Sequence, residues 1–167
     1  MKVQEVEEKD IKAIRKIEKE YYEGYSCPED ILRSWIRKSK GNFLIAKDEK
    51  SRPIAFLFFE RTNQLKPLPF IHKPQKQFGK YIYISEIGIL NGYKKTQILE
   101  KLFQELLSRM RDEKGIIWVT GSKSKHDKFE LKLIKRYKFK RLKRITRWEV
   151  YPNHFVNDHW VWSKKLK

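Results

Sequence analysis

The sequence is short of several things, and each shortage excludes something. It has one cysteine, Cys27, so an internal disulfide is impossible and a thiolate-built zinc site has too few ligands. That usage suits a reducing, cytoplasmic setting. No apolar run is long enough to cross a bilayer. The first ten residues, MKVQEVEEKD, carry charges where a secretory leader needs an apolar stretch. Acids are few as well: 21 stand against 39 lysines and arginines, a net charge of +18. The excess points to anionic partners such as a nucleotide cofactor, nucleic acid or an acidic protein surface. A lysine- and glutamate-rich, heat-adapted surface explains it equally well, so charge alone names no partner. What is present is a hydrophobic fraction of 40% and an aromatic fraction of 14% over 167 residues. That suffices for one globular domain spanning 1–167 with a sizeable core.

Periodicity places the elements. KVQEV reads as a short strand, and EEKDIKAIRKIEKEYY as a helix with Ile11, Ile14, Ile17 and Tyr21 on one face. A second helix starts at SCPED, where Ser26 and Glu29 have capping-box spacing and Pro28 falls in the first turn. NFLIAK and PIAFLFFERT form two strands of a hairpin around a polar turn. Residues 63–80 hold three prolines and no acid and read as a long loop. YIYISEIGIL is a largely apolar strand, expected to be buried on both faces. The helix after it carries a core stripe from Ile98 to Met110. Strand IIWVTG and the short helix KHDKFELKLIKRYKF follow, and strands RITRWEVYP and HWVWSKKL close the chain. The segment from 81 to 120 is a β-α-β unit, so its strands should run parallel with a right-handed crossover. The expected class is α/β, a mixed twisted sheet of about six to seven strands with helices on both faces.

Between strand and helix lies ILNGYKKTQILEKL, residues 89–102. Its helix start offers unpaired backbone N–H groups and a favourable dipole to an anion. Lys94 and Lys95 stand beside it and can add charge-assisted contacts. An ordinary helix start with two solvated lysines has the same pattern.

The order of elements, together with this segment, resembles the GNAT superfamily of acetyl-CoA-dependent N-acetyltransferases over essentially the whole chain. The resemblance implies a groove between two splayed parallel strands, 81–90 and 116–120, that holds acetyl-CoA. Matched residue by residue, Ile87, Gly88 and Ile89 take the strand positions whose backbone pairs with the pantetheine arm. Lys94, Lys95, Thr96, Gln97, Ile98 and Leu99 take the pyrophosphate loop and first helical turn. Gln97 and Leu99 stand where the family motif has glycines. Asp127 falls on the position of a cofactor-contacting asparagine. Ile134 replaces the family's acid tyrosine, and Lys138 replaces a glycine. Tyr137, three residues beyond 134, is a displaced acid or a packing residue. Glu86, a carboxylate inside an apolar strand, falls where several family members carry a general base. Burial raises the pKa of such a group toward a useful range, although a salt-bridged strand glutamate is the plain alternative.

The implied activity is transfer of an acetyl group to an amine of unspecified identity. The competing class is a catalytically weak scaffold that binds nucleic acid through its basic surface. The run 131–144 has eight basic residues and no acid, and suits coenzyme A phosphates, nucleic acid or plain solvation. Tyr21, Tyr22 and Tyr25 lie between the first two helices and either line an acceptor pocket or pack. His154 and His159 lack a third convergent ligand, so no metal site is expected. Cys27 reads as a small packing residue.

Overall fold

The computed structural model describes residues 1–24, 26–38, 41–63, 79–110, 112–121, 127–146, 148–151, 154–156 and 159–166. The side chains of 121, 127, 148–151 and 154–156, Tyr25, and most of the proline-rich stretch expected as a loop lie outside the described residues. In chain order the elements are β1 (Lys2–Glu5), a 3-10 turn (Glu8–Asp10), α1 (Ile11–Tyr21), α2 (Glu29–Lys38), β2 (Phe43–Lys47), β3 (Pro53–Thr62) and β4 (Tyr81–Ile89). Then come α3 (Lys95–Ser108), β5 (Gly115–Gly121), α4 (Asp127–Arg136), β6 (Lys140–Ile145), β7 (Trp148–Tyr151), β8 (His154–Val156) and β9 (His159–Lys165).

Seven strands form one sheet in the order β1-β2-β3-β4-β5-β9-β6. Every neighbouring pair is antiparallel except β4 and β5, which run parallel. The sheet is therefore mixed, and the β4-α3-β5 crossover is its single parallel step among the described residues. Helices cover both faces. Ile11, Ile14 and Ile17 of α1 pack with Leu32 and Trp35 of α2 on Phe43, Ile45, Phe56 and Phe58 of the sheet, and the Trp35 ring stacks on Phe58 at 4.9 Å. On the other face the stripe Ile98, Leu99, Leu102, Phe103 and Leu106 of α3 joins Leu133 and Ile134 of α4. α2 begins two positions later than its cap signal suggests, at Glu29. The Pro28 carbonyl accepts the Leu32 N–H, so Pro28 is the cap itself rather than a first-turn residue.

The last strands depart from the expected pattern. The partner of β9 is β6, at 140–145, whereas 148–151 pairs with 154–156 in a separate two-stranded sheet. Lys140, Arg141, Leu142, Lys143 and Arg144 are all exposed. A strand held by its ladder alone shows no apolar alternation to read.

Two backbone features decide what faces where. In the pairing of β3 with β4, Phe58 lies opposite Glu86 and Phe59 opposite Ile84, which leaves Ser85 as an extra residue. This bulge reverses the alternation. Ile82 and Ile84 before it, and Ile87 and Ile89 after it, all join the core under α3. Glu86 and Gly88 are thereby turned to the α1 side, where a Cβ on Gly88 would stand 2.9 Å from Ile17 Cγ2. The second feature is Lys138, with φ +57°, a position that the sequence resemblance aligns with a glycine. Its neighbour Phe139 donates its N–H to Ile134 O, five residues back, the closing bond of a left-handed helix cap.

Candidate active site

β4 and β5 are paired only from Tyr81–Gly115 to Ile84–Trp118. Beyond that, β4 stays with β3 as far as Ile89, while β5 stays with β9 as far as Gly121. The two strands therefore part at the bulge. Leu90 N–H bonds Ile54 O on β3. Alternation along an antiparallel ladder then turns the N–H and C=O groups of Ile87 and Ile89 away from β3, toward the opening. Two tyrosines at the end of α1 reach into it. The Tyr22 hydroxyl donates to Ile87 O at 2.8 Å, and the Tyr21 hydroxyl donates to Glu130 Oε1 on α4 at 3.3 Å.

On the α1 side of the same opening lies a group of carboxylates. Glu86 Oε2 is enclosed with no hydrogen-bond partner. Glu18, 0% exposed, accepts the Cys27 N–H through Oε2 at 2.9 Å, while its Oε1 is enclosed and unpartnered. Glu60 on β3 is buried and accepts from Ser85 Oγ at 2.9 Å. Burial raises the Glu86 carboxyl well above the usual range, and the charges of Glu18 and Glu60 push it further. Burial also raises Glu18 to about 7, against the opposing pull of the Cys27 N–H and Arg15. Burial first, then the nearby carboxylates, push the Cys27 thiol up, which keeps it protonated and inert.

The mouth of α3 lies at the far end of β4. Lys94 is its N-cap and contributes no side-chain cap bond. Gln97 and Ile98 N–H already bond Lys94 O. The N–H groups of Lys95 and Thr96 are the ones a helix start leaves without intrahelical partners. Lys95 Nζ bonds Asn91 Oδ1 at 2.9 Å and lies 5.4 Å from the Tyr21 ring centre. Partial burial lowers its pKa.

No protein-family model matches the sequence, and no curated protein does. Solved structures match it over nearly its whole length. Ard1 from Thermoplasma volcanium superposes with TM-score 0.73 at 12% identity, over 99% of this chain and 97% of that one. A GNAT-family acetyltransferase from Bacillus cereus gives TM-score 0.64 at 16% identity, over 99% and 98%. GphF, a GNAT-like decarboxylase in complex with isobutyryl-CoA, gives 0.73 at 9%, over the whole of both chains.

The chain has the GNAT fold. Within it, the expected residues fall into three groups. Ile87 and Ile89 present backbone to the opening between the parallel strands, and Gly88 lies between them on the α1 side. Gly88 matters for packing, because a Cβ there would also stand 2.4 Å from Phe56 Cε1. At the α3 mouth, Leu99 is 1% exposed and Ile98 is likewise buried against the sheet. The Leu99 side chain, at a position the resemblance aligns with a glycine, therefore points inward, away from the helix mouth. Gln97 and Lys94 are exposed, whereas Lys95 and Thr96 are half-buried. The residues thus fit a coenzyme A pyrophosphate through two free N–H groups and flanking lysines.

The third group lies on α4 and after it. Asp127 opens α4, its side chain outside the described residues. The Tyr137 ring packs 4.6 Å from Phe103, and its carbonyl accepts from Lys164 Nζ. Those contacts are on the α3 face, opposite the side to which Glu86 is turned.

Sequence reasoning missed Glu18 and Glu60. Both left a signal: Glu18 lies four residues after Ile14 on the buried arc of α1, and Glu60 interrupts an apolar strand. Among the described residues no group of His, Cys, Asp and Glu could hold a metal ion, and no helix is long and apolar enough to cross a membrane.

Proposed function

We propose that this chain is a coenzyme A-dependent N-acyltransferase, most simply an acetyltransferase, acting on an amine. The observation that carries the reading is Glu86, an enclosed and unpartnered carboxylate turned by the Ser85 bulge toward α1 where the parallel strands part. Coenzyme A, when bound as its acyl thioester, supplies the activated acyl carbon. The chain would hold it by the α3 mouth, with Lys95 and Thr96 N–H on the pyrophosphate, and by the Ile87 and Ile89 backbone along β4. Glu86 Oε2 would take the proton that an ammonium must lose before its nitrogen can attack. The groove walls, closed by Tyr21 and Tyr22, would exclude water. Departing thiol chemistry asks little of an acid, and Tyr137 in its packed position is secondary in this reading.

The test is release of free thiol from acetyl-CoA across a panel of amines, with calorimetric titration of acetyl-CoA alongside. Glu86→Gln should lower turnover about 10²–10⁴-fold while leaving acetyl-CoA affinity unchanged. Unchanged turnover would remove Glu86 as the base, and absent affinity would remove the whole reading.

A second reading has its own observation. Strand β6 lies at a sheet edge with Lys140, Arg141, Lys143 and Arg144 exposed, and Arg141 and Arg144 stand 4.4 and 5.9 Å from the Trp160 ring centre. Such a surface suits phosphate backbones. Salt-dependent binding of a single-stranded RNA probe, lost on reversing the charges of β6, would support it.

A further inference from the structure

Glu18 has no role in the reading above, yet it is costly to keep. It is fully buried on α1, and one of its oxygens has no partner. An unpaired buried carboxylate is unfavourable unless something in the site uses it. Packing lays α1 across β4, the strand that carries Glu86. The Ser85 bulge turns Glu86 and Gly88 toward α1, and Ile17, the residue before Glu18, presses on Gly88. Each carboxylate keeps an enclosed oxygen without a partner, Glu18 Oε1 on α1 and Glu86 Oε2 on the α1 side of β4, and the charges of both act on the Cys27 thiol between α1 and α2.

We propose that Glu18 is a positioning residue for Glu86: its unpaired charge on the facing helix sets the proton affinity of the base. The proposal rests on Glu86 being that base.

Other groups among the described residues also act there. Arg15 on α1 has an enclosed, unpartnered Nε, and its Nη1 lies 3.7 Å from Glu29 Oε2. Cys27, in the connection to α2, donates its N–H to Glu18. Asp30 on α2 acts on the Cys27 thiol. On the sheet side, Glu60 acts on both Glu86 and the buried Tyr83 hydroxyl. Glu60 is itself answered by Ser85 Oγ, whereas Glu18 Oε1 has no hydrogen-bond partner. Linkage between the carboxyls also runs in the expected direction, since the charge of Glu18 raises Glu86.

Glu18→Gln separates this role from a structural one. The carboxamide oxygen keeps an acceptor for the Cys27 N–H, and only the charge is lost. The acidic limb of the kcat/KM profile for acetyl transfer should move down by about one pH unit or more. The second measurement is the titration of the Glu86 carboxyl carbon by NMR, identified by its loss in Glu86→Gln. In the wild type this signal should move in two steps, one following Glu18, and in Glu18→Gln in a single step at lower pH. A single step in the wild type, or a profile and titration unmoved by Glu18→Gln, would overturn the proposal. Full turnover in Glu86→Gln would overturn the base assignment instead, and the wild-type titration still reads the link between the two carboxyls.

Discussion

The buried carboxyl of Glu18 makes stability depend on pH in a direction opposite to that of an ordinary paired surface acid. Its proton is held up to about pH 7 in the folded chain, and is lost near the usual 4.5 when the chain unfolds. Between those values the folded state binds more protons than the unfolded one, so stability falls as pH rises. The contribution is complete below the unfolded value and is used up as pH passes through the folded one. From about pH 5 to about pH 8.5, a single group with these two constants removes about 2–3 kcal/mol. Glu18→Gln cancels this loss and keeps the acceptor for Cys27 N–H. The variant should therefore gain about 2–3 kcal/mol on the wild type between those pH values. Urea unfolding at both pH values, with equal m-values, measures the difference. A Glu18→Gln effect that is the same at both pH values would refute the reasoning, because it would mean that Glu18 ionises in the folded chain as freely as in the unfolded one.

Gly88→Ala should destabilise the chain by about 1–3 kcal/mol through overpacking, since its Cβ would stand 2.4 Å from Phe56 Cε1; a shift in urea midpoint reads it. Lys138→Gly should stabilise by about 0.5–1 kcal/mol, the left-handed penalty relieved less the entropy that glycine adds to the unfolded chain, read as a rise in Tm. Tyr22→Phe leaves the Ile87 carbonyl unanswered in the free protein, so acetyl-CoA affinity should rise about two- to tenfold. Calorimetric titration checks this, and unchanged affinity would mean that the pantetheine arm does not use that carbonyl.

Much of the fold was legible because it is periodic. The stripe from Ile98 to Leu106 and the arc of Ile11, Ile14 and Ile17 repeat at helical spacing, and the apolar run 81–89 is too short for a helix and is bounded by turn residues. β6 was not legible, since its lysines and arginines alternate with nothing and the strand exists because β9 offers a ladder. Of the site, Glu86 could be picked out as an acid in an apolar strand. Its direction could not, because the face it takes depends on Ser85 being left out of the pairing with β3.

Sequence alone determined the order of elements from β1 to α4, the β-α-β crossover and the place where α3 starts, since all three follow from short-range pattern and from chain chirality. Tertiary structure decided the rest. It turned Leu99 inward, so that a missing glycine leaves the helix mouth clear. It set Tyr21 and Tyr22 at the strand opening, and it placed Glu18 of one helix where its charge acts on Glu86 of a strand far along the chain. The cost of burying a charge depends on what packing places around it, and local pattern carries no record of that.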